Sequence, residues 1–404
     1  MPSLQQKVRS VLDELVDSEA ETGLQVAVFH DGALVVDAVA GVADSRSGRR
    51  VTPQIPFFSF SAGKVMTSLI AHLLVRTGAV GYDTQVADPW PEFGTRGKET
   101  ATPRHVLTHS AGVPAMPRGI GPADLTDRSR VCTAMADAEP RWRPGTATGH
   151  HSFTFGFLVG EIARRTTGTS MWQLLHEWVA VPMDIDGDLY FGVPRSGPAR
   201  LEDASPRPVA PPDGDAVLAP WEMQPIAAMG NNHEVLQADI PSVGTFSARA
   251  IAAMKAAVRD GRFVDSHQLE ELTAVAFEGT DQVLGNHTAG RGISARPHRY
   301  SAARDAHDIR LGRWWRQPRL RRHPHRHLLR HVQEPPHPAL RHRTTTRGPD
   351  RDRDRPSDLS PQVRIQPRIS AAAPRTSRAS RSMRSARSAA VLAPTVTNRP
   401  DALR

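Results

Sequence analysis

Near residue 290 the chain changes character, and that boundary limits what it can fold into. Residues 291–404 contain 27 arginines, no lysine and 8 acidic residues, a formal charge of +19. Residues 1–290 contain 20 arginines, 4 lysines and 34 acidic residues, a formal charge of −10, so the overall +9 averages two unlike parts. The second part shows no sustained apolar periodicity, so a buried core has to come from the first. The single cysteine, Cys132, excludes an internal disulfide and a cysteine-rich zinc site, which makes a reduced, cytoplasmic compartment the default. No stretch approaches the roughly 18 to 20 apolar residues of a membrane span, and the N-terminus lacks the apolar centre of a signal peptide.

Within the first part, Val8, Val11, Leu12, Leu15 and Val16 share one helical face over residues 6–19. Two nearly continuous apolar runs, Leu24–His30 and Ala33–Val39, flank Asp31-Gly32, a hairpin turn dipeptide; such runs suit a sheet covered on both faces. From Ser61 to about Arg76, Val65, Leu69, Ile70, Leu73 and Leu74 form a helical stripe that Gly78 closes. A short helix and a turn are expected over 103–113, further helices over 151–168 (closed by Gly168) and 246–258, and a surface loop over 202–220.

The front of the Ser61 helix is small and polar where the rest is apolar, which points to a site there. Ser61 and Lys64 lie three apart, so their side chains project from one face. A serine hydroxyl becomes a nucleophile when a neighbouring base takes its proton, and a lysine can do this if its surroundings favour the neutral amine. A helix N-terminus also directs backbone N–H groups at developing negative charge. Alone, Ser-x-x-Lys equally describes the polar start of an amphipathic helix.

The order of segments adds to this: hairpin, SAGK helix, HVLTHSAGV, PGTATGHHSFTFGFLVGEI, then PSVGTFSARAIAAM. Over about residues 5–288 it resembles the serine β-lactamase and penicillin-binding-protein-like superfamily, in particular its class C-like esterase branch. The resemblance implies an α+β, transpeptidase-like fold: an antiparallel sheet with flanking helices beside a helical lobe. It makes Ser61 the acylated nucleophile, Lys64 its proton partner and the Ser61 N–H half of an oxyanion hole. The family's second motif carries a tyrosine where this chain has His150-His151-Ser152; its three tyrosines, Tyr82, Tyr190 and Tyr300, are elsewhere. An imidazole, with an ordinary pKa of about 6.5, can perform the same proton transfer, or the replacement can be neutral or damaging. His105 and His109 match a stretch that is structural in the family. No metal or organic cofactor is implied. SFSAG also resembles a nucleophile elbow, but Ser59 occupies its first glycine position and the alternating β/α order is missing.

The family's third element, a C-terminal Lys-Thr-Gly or Gly-rich strand, is absent from the text of the chain, and the resemblance stops near Thr288. Synonymous codons for Ile309–Arg319 can be chosen so that the neighbouring frame reads FGLGGGGGSR. At the same offset Arg322–Pro338 can yield DTRTGTSFATCKNRLTP. Both strings resemble the missing strands. The expectation is a domain over 1–288, incomplete, followed by a disordered tail over 289–404 from out-of-frame translation. The rival reading of the tail is an arginine-rich arm attracting nucleic acid non-specifically. Without its central strands the hairpin has an uncovered edge, so the chain as written is expected to be poorly stable, with little or no activity.

The functional expectation is a serine hydrolase acting through an acyl-enzyme on small carboxylic esters, ahead of amides and β-lactams. The alternative is a penicillin-binding-like protein without turnover.

Overall fold

Asp31 and Gly32 both take positive φ, 49° and 77°, the backbone of a primed turn, and fold strand β1 (Gly23–His30) onto β2 (Ala33–Asp44). The pairing is antiparallel from Gly23 opposite Gly41 to His30 opposite Ala33. The computed structural model describes residues 2–193, 197–201, 219–285, 287–291 and 388–394, all within one compact unit.

Alternation along the hairpin sends its side chains to two faces. Leu24, Val26, Val28, Val36, Ala38 and Ala40 pack against Leu12 and its neighbours Val8, Leu15 and Val16 on helix α1 (Leu4–Asp17). A capping box between Ser3 and Gln6 starts that helix. On the other face, Ala27 and Phe29 meet Ala248 and Ala252 of the helix Ala248–Arg259. The sheet is thus covered on both sides, as its apolar runs require. Gln25, 1% exposed, joins the layers: its amide nitrogen donates to the carbonyls of Thr52 (2.6 Å) and Ile55 (2.8 Å), and its oxygen accepts from the N–H of Ala248 (2.9 Å).

Strand β3 (Arg49–Arg50) extends one edge of this sheet. A smaller sheet combines β4 (Phe57–Phe58), β5 (Leu189–Tyr190) and β6 (Thr245–Phe246), with β6 in the middle. The helical region contains α2 (Lys64–Arg76), α3 (Pro103–Leu107), α4 (Arg128–Asp137) and α5 (Thr154–Thr167). Thr102 and Asp127 cap the N-termini of α3 and α4, and Gly168, with φ 74°, closes α5. Helix α2 is buried on nearly every side, from Met66 to Leu74, and shares its core with α4 and α5. Helix α6 is the segment Ala248–Arg259 already met on the sheet, capped by Ser247. A separate hairpin, β7 (Val275–Thr280) with β8 (His287–Arg291), follows. The α+β arrangement of an antiparallel sheet, flanking helices and a helical region is the one expected.

Three details differ from the sequence reading. The helix expected from Ser61 begins as a 3₁₀ turn, Phe60–Gly63, and turns α-helical only at Lys64. The helices expected from 151 and 246 start at Thr154 and Ala248, the latter because Phe246 is taken by β6. The β1 edge expected to be open is occupied by β9 (Ser388–Pro394), antiparallel from Leu24 opposite Pro394 to His30 opposite Ser388. SAAVLAP is an arginine-free apolar run in the tail, and an unpaired row of β1 N–H and C=O groups is a template for such a segment. The expected tail disorder and nucleic-acid attraction fall almost wholly on residues outside those described, as does most of the 202–220 loop.

Candidate active site

The short strand β4 delivers the chain to Ser61. Phe57 and Phe58 pair with Phe246 and Thr245, and the Ser59 N–H donates to the Gly244 carbonyl at 2.7 Å. Phe60 then takes a left-handed φ of 42°, a costly conformation for a bulky residue, held by its edge-on contact with the Phe58 ring at 4.8 Å. That reversal starts the 3₁₀ turn. In such a turn side chains three apart eclipse one another, which brings Ser61 and Lys64 into line. Lys64 Nζ lies 2.9 Å from Ser61 Oγ, both half-buried.

Gly63 permits this turn to sit against the chain at 243–244. A Cβ there would come within 2.3 Å of the Gly244 nitrogen and the Val243 carbonyl carbon. The same segment supplies Ser242, which the sequence reading does not single out. Its carbonyl accepts a second hydrogen bond from Lys64 Nζ at 3.3 Å. Its hydroxyl accepts from the Gly156 N–H at 2.9 Å and donates to the Phe153 carbonyl, at the start of α5. One residue therefore touches the amine of Lys64 and the helix that follows the histidine motif.

His150 and His151 are both buried, 7% and 0% exposed. The His150 N–H donates to Asp281 Oδ1 at 3.2 Å, and its ring centre is 5.5 Å from that of His109. His151 is held by two backbone groups: Nδ1 pairs with the Gly149 carbonyl at 2.8 Å, and Nε2 accepts from the Val113 N–H at 3.2 Å. Those partners put its proton on Nδ1. Burial pushes the His151 pKa down to about 4 against the opposing pull of the Gly149 carbonyl, and the positive charge of Lys64 lowers it further. His151 is thus neutral at pH 7, and its ring feels the charge of Lys64. His109 accepts the His151 N–H on its own Nδ1 at 2.9 Å. His105 sits in α3, where its N–H takes the Thr102 cap at 3.3 Å.

A cavity of about 490 Å³ lies elsewhere, lined by Trp90, Arg128, Cys132, Glu161, Arg164 and Arg165 among others but by none of Ser61, Lys64 and His150. Its arginines are occupied: Arg128, Arg164 and Arg165 all bridge to Glu161, and Arg165 also to Glu92. No cluster of three or more potential metal ligands occurs among the described residues. Among the same residues no helix is long and apolar enough to cross a membrane.

Comparison with known proteins gives a consistent result. A family model described as Beta-lactamase matches residues 8–318, running past Thr288, where the sequence resemblance fades. The esterase/beta-lactamase LipL of Mycobacterium tuberculosis is 34% identical over 283 residues, covering 65% of this chain and 65% of that protein. This chain therefore spans less than two thirds of that relative's length. The crystal structure of a family VIII carboxylesterase superposes with a TM-score of 0.64 at 28% identity, covering 71% of this chain and 79% of the other. A penicillin-binding protein homologue from Caulobacter crescentus gives 0.62 at 30% identity, covering 70% and 79%.

Proposed function

The chain belongs to the beta-lactamase family of serine hydrolases, and from that premise we propose that Ser61 is acylated by a carboxylic ester with Lys64 as its proton acceptor. The observation that carries the reading is the 2.9 Å contact between Lys64 Nζ and Ser61 Oγ at the mouth of α2. With the amine charged, Lys64 donates in this contact. With the amine neutral, the direction reverses and the Ser61 hydroxyl donates to Nζ, the arrangement that precedes attack.

In the proposed cycle the Ser61 proton passes to Lys64 as Oγ bonds to the ester carbonyl carbon. The Ser61 N–H steadies the resulting oxyanion. The tetrahedral adduct collapses with cleavage of the bond to the leaving alkoxide, which takes up the proton. Water then attacks the acyl-enzyme, releasing the carboxylic acid and restoring Ser61. On the resemblance of its segment to the family's second motif, His150 is assigned the tyrosine's proton transfer to the leaving group. The electrostatic link between its neighbour His151 and Lys64 supports a motif close to the amine. Esters are placed first because LipL and the carboxylesterase are named for esterase activity.

Mass spectrometry after treatment with a fluorophosphonate tests the nucleophile, and p-nitrophenyl butyrate turnover tests the cycle. Labelling of Ser61 that is lost in Ser61→Ala and strongly slowed in Lys64→Met is expected. Labelling elsewhere, or unchanged in Lys64→Met, overturns the assignment. Acylation by a labelled penicillin without turnover of ester or β-lactam would favour the binding-protein alternative.

A further inference from the structure

The loop carrying His150 is gripped at three consecutive backbone N–H groups by partners far away in sequence. The Gly149 N–H donates to the His109 carbonyl at 3.1 Å, the His150 N–H to Asp281 Oδ1 at 3.2 Å, and the His151 N–H to His109 Nδ1 at 2.9 Å. Such a run of long-range bonds fixes the direction of the central side chain more tightly than packing alone. His109 manages two of them because it lies in the left-handed region at φ 56°, with its ring stacked on Phe155 at 4.9 Å.

The middle grip, from Asp281, is the unusual one. Asp281 is 5% exposed, and the same Oδ1 also accepts from the N–H groups of Val283 and Leu284, each at 2.9 Å. These last two bonds make a local turn that any short acceptor side chain can form. The bond to His150 crosses from that turn to the motif before α5, and the neighbouring Gln282 N–H, donating to the Thr148 carbonyl at 2.8 Å, keeps the two strands of chain in register.

We infer that Asp281 is a positioning residue: through the His150 backbone it sets where the imidazole stands. The role rests on the proposed function only in giving His150 a proton to transfer; the geometry it controls is independent of turnover.

The test uses the full chain with histidine labelled at Cε1, the His150 signal being identified by its loss in His150→Gln. Three variants separate the bonds. Asp281→Asn keeps an Oδ1 acceptor, Asp281→Ala removes it, and Asp281→Ser keeps a hydroxyl for the local turn while falling short of His150. The His150 signal is expected to move or broaden in the alanine and serine variants and to stay near wild type in the asparagine variant. Ester turnover should fall about 10- to 100-fold in kcat, with KM little changed, in the same two variants. A His150 signal unmoved in Asp281→Ser, or an asparagine variant as perturbed as the serine one, overturns the inference. Should Asp281→Ala fail to fold, the serine and asparagine pair still decides. If His150→Gln turns over as well as wild type while Asp281→Ser moves the His150 signal, positioning stands and the catalytic assignment of His150 falls.

Discussion

Replacing Glu161 by glutamine removes the one carboxylate that holds three guanidiniums together inside the helical region. Glu161 is 3% exposed and is bonded to Arg164 Nη2 at 2.6 Å, to Arg165 Nε at 2.7 Å and to Arg128. Burial by itself would raise its pKa, but the hydrogen bonds from Arg164 and Arg165, with the charges of Arg164 and Arg128, bring it from 4.5 down to about 2. At about 1.4 kcal/mol per tenfold in proton affinity, that difference corresponds to about 3 kcal/mol at pH 7. Arg128, Arg164 and Arg165 remain 40%, 38% and 24% exposed, so water screens part of it and about 2 to 3 kcal/mol is expected. The sign follows from the lowered pKa. The stabilisation is complete above the unfolded value and drains away as pH falls toward the folded one, with roughly half left at pH 3. Urea unfolding of the wild type and Glu161→Gln at a series of pH values measures the gap directly, since other carboxylates cancel in the difference. A gap that stays constant from pH 7 to pH 3, or none at pH 7, refutes the reasoning.

Gly63→Ala should destabilise by about 1 to 3 kcal/mol, read as a lowered urea midpoint, because the new methyl meets backbone at 2.3 Å. Gln25→Ala strands the carbonyls of Thr52 and Ile55 and the N–H of Ala248 in a buried layer; a loss of about 3 kcal/mol is expected by the same measurement. Cys132, whose thiol burial pushes up to about 12, should resist iodoacetamide at pH 8 in the native protein and react fully once unfolded. A gene re-registered after codon 288, so that the downstream text encodes the Gly-rich strand, should give higher ester turnover than the chain as written. Equal turnover from both would end the out-of-frame account of the tail.

Local features were legible in the sequence because local chemistry decides them. Asp31-Gly32 needs positive φ at both positions and makes a hairpin wherever apolar runs flank it. Ser61 and Lys64 are three apart, a spacing that puts them on one face in an α-helix and in the 3₁₀ turn that is found. What could not be read is everything that depends on distant chain: Ser242 reaching Lys64, Gln25 reaching Ala248, and Asp281 reaching His150 are single polar residues with no periodicity to announce them. The left-handed Phe60 was hidden for a related reason, since nothing in FSFSAGK favours positive φ at a phenylalanine; it follows directly on β4, whose partner β6 lies far along the chain. Both His109 and the β1 edge were visible as residues, but their partners lay too far along the chain to be matched.

Ser242 acts like a rivet through two plates. Because its carbonyl meets the amine on one helix while its hydroxyl is spent at the mouth of another, α2 and α5 cannot slide apart without tearing a bond at each end of a single residue. A displacement of α5 that carries Ser242 with it changes the second acceptor of the Lys64 amine, at a distance from the serine hydroxyl itself.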